Sequence, residues 1–374
     1  MKIRIVFDSY HLYHLPQFDP LIDLLRSDSR FQIFLTTAAV TLPDEQFLTR
    51  RILQQRGLEC LFAPTEEERM QLIKKLAPNI FICGWSRYPI EDYVPLQTLV
   101  GMIYHGIGVK PSYWRDNSPR LNVRFVEGPF RIQQLRSKGI TTDLELTGLV
   151  KIDPLFNGQI ESRDEILHGL GLNPERKTVL YAPTFYPSSF ESFGLKLPEM
   201  LHDDYNLIIK LHQWSYFMEK FSGVNLRRHV KLINEIRRHY PQVVVIEPEH
   251  YNIIDLYQAA DVLMTEASST IYEFMALRKP IIICDFYRKK IGHLIMPKRI
   301  FRRRLDPEMH GNMTNFCYHI AKPVELKAML KVCFDIPDPF VDIRENYINN
   351  MLYRLDGRAA ERVREALLRR LPQA

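Results

Sequence analysis

The chain has 374 residues, 46% hydrophobic and 25% charged, which is long for one compact domain and comfortable for two with buried cores. Fifty Lys and Arg against 44 Asp and Glu leave a formal charge of +6, weaker than nucleic-acid binders carry, so nucleic acid is not an expected partner. Gly and Pro are spread along the chain, which excludes collagen-like and low-complexity forms, and five Cys without a CxxC pair argue against a zinc site or disulfide framework.

The opening residues, Met1–Phe7, are too short and too alternating for a signal peptide and read as a strand. No window approaches the ~18 uncharged apolar residues of a membrane-spanning helix. These features predict a cytoplasmic protein, soluble or peripheral. Ile3–Asp8 is the first strand, and Phe18–Arg26 follows with helical spacing of Phe18, Leu21, Leu24 and Leu25. Gln32–Thr36 is a strand and Asp44–Arg56 a helix that Asp44 can cap. Strands follow at Asn79–Cys83, Thr98–Tyr104, Arg124–Val126 and Glu145–Leu146. The rhythm repeats with strands at Thr178–Tyr181, Asn206–Leu211, Val243–Ile246, Val262–Thr265 and Ile281–Cys284, and Glu345–Leu371 reads as an amphipathic helix. Cys83 and Cys284 lie in apolar runs and read as small buried hydrophobes.

Strands that are apolar throughout and alternate with helices predict parallel sheets covered on both faces. The expected fold is α/β, with two Rossmann-like domains facing across a cleft. Pro154, Gly158, Gly169, Gly171 and Pro174 thin the pattern where the domains join. The expected division is 1–165, 166–345 and a C-terminal helix over 346–374 that packs back on the N-terminal domain.

Ligands in open α/β sheets sit beyond the carboxyl ends of the strands, and four places there carry polar groups. Tyr104-His105-Gly106 ends one strand, with Lys110 shortly after; His105 is either a general base or a turn histidine bonded to backbone. Pro183-Thr184 ends another, offering a hydroxyl or an ordinary exit turn. Lys210-Leu211-His212 closes a third, where His212 either meets a phosphate or packs on Trp214. Thr265-Glu266-Ala267-Ser268-Ser269-Thr270 joins a strand to a helix, and its small hydroxyl residues beside unpaired amides form an anion seat. The competing reading is a helix cap by Ser268 or Ser269, boxed by Glu273. Isolated Asp261, Glu266 and Asp285 do not make a metal cage, so no metal and no cofactor is expected. Lys289, Lys290, Lys298, Arg299 and Arg302–Arg304 interleave with Ile291, Leu294, Ile295, Met296, Ile300 and Phe301. That stretch is an anionic-membrane contact, a seat for a polyanion, or a solvated loop.

These segments resemble the CDP-glycerol glycerophosphotransferase family, whose members build teichoic acids and related phosphate-bridged capsules. The likeness runs from Tyr104-His105-Gly106 through Gly128-Pro129, Gly148, Leu180–Thr184, Lys210-Leu211-His212, Thr265–Ser269 with Glu273-Phe274 and Lys279-Pro280-Ile281, to Asp356-Gly357-Arg358-Ala359-Ala360-Glu361-Arg362. It implies a glycosyltransferase-B arrangement, with acceptor on the N-terminal domain and a CDP-alcohol donor, CDP-glycerol or CDP-ribitol, on the C-terminal one. It implies transfer of an alditol phosphate to a glycan or lipid-linked acceptor, releasing CMP, at the inner face of the cell membrane. His105 matches the family's catalytic base and His212 its second histidine. Thr184, Ser268 and Ser269 match donor-phosphate contacts, and Lys210, Glu266 and Thr270 stand beside them. Tyr186, Gln213 and Glu266-Ala267 depart from the family's Arg, Pro and Asp-Tyr, which bears on the alcohol carried. The alternative activity on the same fold is a sugar-nucleotide glycosyltransferase or UDP-sugar 2-epimerase; one of another class is a catalytically silent scaffold.

Overall fold

A computed structural model describes residues 2–107, 112–217, 225–287, 295 and 315–372. Two compact units emerge, one from Met1–Ile107, Ser112–Asn157 and Asn349–Ala374, the other holding Gly158–Ile348.

In the first unit seven strands form one sheet: β1 (Ile3–Tyr10), β2 (Phe31–Thr37), β3 (Cys60–Leu61), β4 (Ile80–Cys83), β5 (Leu99–Ile103), β6 (Val123–Val126) and β7 (Asp143–Leu146). Their order is β3-β2-β1-β4-β5-β6-β7, and every pairing is parallel. The two-residue β3 has no apolar run and was not expected. Parallel pairing places all carboxyl ends on one edge, with Asp8 beside both Thr36 and Cys83. The order in which strands are laid down reverses between β1 and β4, the switch point where such sheets take ligands. Beneath that edge Arg69 is fully buried, bonded to Asp8 at 3.1 Å and Glu66 at 2.8 Å.

The second unit repeats the plan with β8 (Thr178–Tyr181), β9 (Asn206–Ile209), β10 (Val244–Val245), β11 (Val262–Thr265), β12 (Ile281–Cys284) and β13 (Tyr318–Ile320). The order is β10-β9-β8-β11-β12-β13, again parallel throughout. Every residue of β8, β9, β11 and β12 is buried, which explains their uninterrupted apolar sequences. Cys83 and Cys284 are buried as expected.

The C-terminal stretch is two helices, Val341–Met351 and Ala359–Arg370, where one was expected. Arg354 and Gly357 between them have φ of +47° and +69°, in the left-handed region. A side chain on Gly357 would stand 2.9 Å from the Asn157 nitrogen, so only glycine fits. The family-like Asp356–Arg362 motif is thereby explained as a clasp. The Asp153 carboxylate accepts the Ala359 and Ala360 amides at 3.0 and 2.7 Å, capping the last helix from elsewhere in the chain. Arg362 bonds the Thr147 carbonyl at 2.6 Å and pairs with Asp356. Burial raises the Asp153 pKa to about 6.

Candidate active site

In the first unit, β5 delivers His105 to the carboxyl edge, half-buried. Its Nδ1 lies 3.2 Å from the Gly84 carbonyl oxygen at the end of β4. A carbonyl only accepts, so Nδ1 carries the proton and the neutral ring keeps its lone pair on Nε2. The turn reading of His105 is met, since backbone orients the ring. The chain beyond β1 turns into a 3-10 segment, Leu12–Gln17, that brings Tyr13 and His14 against His105. His11 bonds Glu45 through Nδ1 at 3.2 Å, and Glu45 also accepts the Leu12 amide, which fixes this segment. Trp85, after β4, and Tyr113 complete an aromatic shell. The approach to His14 is tight at Gly84, where a Cβ would stand 3.0 Å from the His14 Nδ1 and press on the ring.

In the second unit, β9 delivers Lys210 and His212 to the edge. His212 Nδ1 accepts the Trp214 amide at 3.1 Å. That assigns the opposite tautomer, with the proton on Nε2, where it can be donated. The ring also packs against Phe185 and Trp214, as the packing reading expects. Lys210 is buried at the strand end.

β11 and β8 flank this unit's switch point, and Glu266 spans it. Its carboxylate accepts the Thr184 and Ser189 amides, each at 2.6 Å, and the Ser189 hydroxyl. Glu266 is 1% exposed, and burial raises its pKa to about 7 despite these hydrogen bonds. Expected among the donor contacts, it instead holds the loop after β8 in place. Thr184 donates its hydroxyl to the Pro187 carbonyl, so both its donors are committed, one within the loop and one to Glu266.

Ser268 Oγ accepts the Thr270 amide at 3.3 Å, and the Thr270 hydroxyl turns back to Thr265. The capping box of the competing reading does not form, because Glu273 is buried and accepts the Tyr257 hydroxyl at 2.8 Å. Among the described residues, neither the Ser268 nor the Ser269 hydroxyl proton has an acceptor, and both side chains are partly exposed. These two retain free donors at the edge. Of the departures from the family pattern, Gln213 bonds the Pro248 carbonyl at 2.8 Å and Tyr186 is buried beside Phe185. Lys110 and the basic residues Lys289–Arg304 lie outside the described residues.

Residues 138–295 match the sequence pattern of the CDP-glycerol:poly(glycerophosphate) glycerophosphotransferase family. Over these residues the chain is similar to that family. The matched segment holds Thr184, Lys210, His212, Glu266, Ser268 and Ser269, and stops short of His105. Curated proteins with similar segments carry related names. The chain is 29% identical over 154 residues to the teichoic acid glycerol-phosphate primase of Bacillus subtilis (strain 168), covering 39% of this chain and 35% of the primase. It is 27% identical over 141 residues to the teichoic acid poly(glycerol phosphate) polymerase of Bacillus spizizenii, covering 34% and 32%. The match thus spans about a third of these relatives' length. Among solved structures, the wall teichoic acid polymerase TagF superposes with a TM-score of 0.67 at 15% identity, over 99% of this chain and 88% of the polymerase. The UDP-GlcNAc 2-epimerase of Neisseria meningitidis reaches 0.60 at 13% identity, over 99% and 100%. These likenesses speak to fold, and agree with two Rossmann-like units of the glycosyltransferase-B class.

Proposed function

We propose that this chain transfers glycerol phosphate from CDP-glycerol to a hydroxyl of a glycan or lipid-linked acceptor, releasing CMP. The observation that supports the reading is the match of residues 138–295, which hold Thr184, His212, Ser268 and Ser269, to the glycerophosphotransferase pattern; each unit also carries an edge histidine, His105 with a lone pair on Nε2 and His212 with a proton there. In-line displacement at phosphorus can use a base on the acceptor hydroxyl and a donor to the phosphate oxygens. His105 Nε2 takes the proton of the acceptor hydroxyl as its oxygen bonds the phosphorus carrying glycerol. The phosphorus–oxygen bond to CMP breaks, and His212 Nε2–H offsets the charge that collects on phosphate oxygen. Ser268 and Ser269 supply further donors to the diphosphate, while Glu266 keeps the Thr184 loop in place. In this reading the second unit holds the donor and the first the acceptor.

Turnover of CDP-glycerol, CDP-ribitol and UDP-GlcNAc, each with a glycerol-phosphate-primed lipid acceptor, tests the proposal. CMP release with CDP-glycerol supports it; release of a uridine nucleotide or an epimerised sugar would overturn it in favour of the epimerase-like activity. CDP-ribitol in the same assay decides the alcohol. The lipid-linked acceptor also places the protein at the inner membrane face, where the basic Lys289–Arg304 stretch would meet anionic lipid. Sedimentation with anionic vesicles should then fade as salt rises and be lost when Arg302, Arg303 and Arg304 become Gln. A raised KM without vesicle binding would assign the stretch to a polyanionic ligand instead, and no change would leave a solvated loop.

A further inference from the structure

The His105 ring is held on both faces. His14 stacks on one with centroids 4.7 Å apart and planes 25° apart; Tyr113 stacks on the other at 5.1 Å and 28°. Trp85 and Tyr13 meet its rim edge-on at 5.8 and 5.9 Å, and Gly84 anchors Nδ1.

His14 is unusual in itself. It is 0% exposed, and among the described residues neither ring nitrogen has a hydrogen-bond partner. Such an imidazole costs stability that a phenyl or isobutyl group in the same space would not. Its surroundings are built to keep it there: Trp85 and Tyr13 pack edge-on at 4.8 and 4.5 Å, and residue 84 has no side chain to displace it. Burial first, then neighbouring His105, His11 and Arg87, hold His14 well below the ordinary histidine range, so it stays uncharged. Among the described residues, the charges around the cluster include Arg87 over the Trp85 ring at 4.5 Å, paired with Asp116, Arg131 over the Tyr113 ring at 5.3 Å, paired with Glu127 at 2.8 Å, and Glu45 on His11. Both cations stand one ring away from His105, with an aromatic ring between. What touches the faces of His105 is neutral and aromatic.

We propose that His14 and Tyr113 are positioning residues that clamp the His105 ring by its two faces, fixing the edge it presents and favouring its imidazolium through their π-faces. A cation over an aromatic face is attracted by the ring quadrupole, so a clamp of two rings helps the base when it has taken the proton. The proposal rests on the reading of His105 as base, and its test does not depend on turnover alone.

The experiment is an imidazole ¹⁵N titration of the full chain, with His105 assigned by His105→Gln. Four variants are compared: His14→Leu, His14→Phe, Tyr113→Leu and Tyr113→Phe. The Leu variants should lower the His105 midpoint by about 0.5 unit and mix its two tautomers, while the Phe variants restore both. In the CDP-glycerol assay the Leu variants should lose roughly threefold to tenfold in kcat, with little change in KM, and the Phe variants recover most of it. A Leu variant that matches its Phe counterpart in both titration and kcat overturns the clamp. If a Leu variant fails to fold by circular dichroism, Met at the same position makes the comparison. Full turnover in His105→Gln would remove the base reading and leave the titration to decide the clamp by itself.

Discussion

Glu266→Gln separates what the buried carboxylate does for the loop from what it costs the fold. Burial lifts this carboxyl from 4.5 to about 7. At 1.36 kcal/mol per unit, the ionised form costs the folded state roughly 3 kcal/mol relative to the protonated one. The folded chain therefore binds more protons than the unfolded chain between pH 4.5 and 7. Stability from this group is full below pH 4.5 and is lost as pH rises to 7. Between pH 5.5 and 8 that amounts to about 2 kcal/mol. Gln does not titrate, so this slope should vanish in the variant. The amide NH₂ of Gln cannot accept from both the Thr184 and Ser189 amides, so one of them should exchange hydrogen faster at every pH. Urea unfolding at the two pH values, followed by Trp214 fluorescence with Trp85 and Trp114 replaced by Phe, reads the second unit alone. Equal pH slopes in the Glu and Gln proteins would refute the reasoning, because they would mean that Glu266 is already charged in both states.

Three further outcomes test other parts of the structure. His105→Gln should leave CDP-glycerol affinity within a few-fold by calorimetry and lower turnover by roughly 10²-fold. Replacing Ser268 and Ser269 by Leu should fill the anion seat and weaken CDP-glycerol binding at least tenfold, with the melting temperature little changed; unfolding with intact affinity would show these serines to be structural. Gly128→Ala would put a Cβ 2.2 Å from the Met351 carbonyl oxygen, so the first unit should lose about 3 kcal/mol in denaturant titrations.

The parallel sheets were legible because strands buried on both faces leave unbroken apolar runs, as in Ile281–Cys284 and Ile80–Cys83. β3 and β13 were not, since two or three residues cannot make such a run. The break in the C-terminal helix had a signal in Asp356-Gly357, but helical periodicity on both sides masked it. His105 and His212 could be found because each closes an apolar strand. His14 could not: it lies on a 3-10 segment, and only the fold returns it to the face of His105. Glu266 follows a strand as a ligand contact would, and its inward turn depends on Ser189 and Thr184, 77 and 82 residues away in sequence. Position along a strand thus tells which residues reach the edge. Which way each one faces is decided by partners that local sequence does not display.

The two histidines show why that orientation matters. A carboxylate beside a histidine sets its tautomer and also adds a negative charge that favours the imidazolium. Here the orienting groups are a backbone carbonyl for His105 and a backbone amide for His212. Neither can titrate, so the assignment of lone pair and proton does not change with pH while the rings stay neutral. Groups placed to favour or oppose protonation of His105 include the two rings stacked on it and, one ring further out, Arg87 paired with Asp116 and Arg131 paired with Glu127. The proposed clamp thus assigns tautomer and basicity to separate residues. Replacing Gly84 should disturb the first, through His14 and the chain at its carbonyl, whereas replacing His14 or Tyr113 by an aliphatic residue should act mainly on the second.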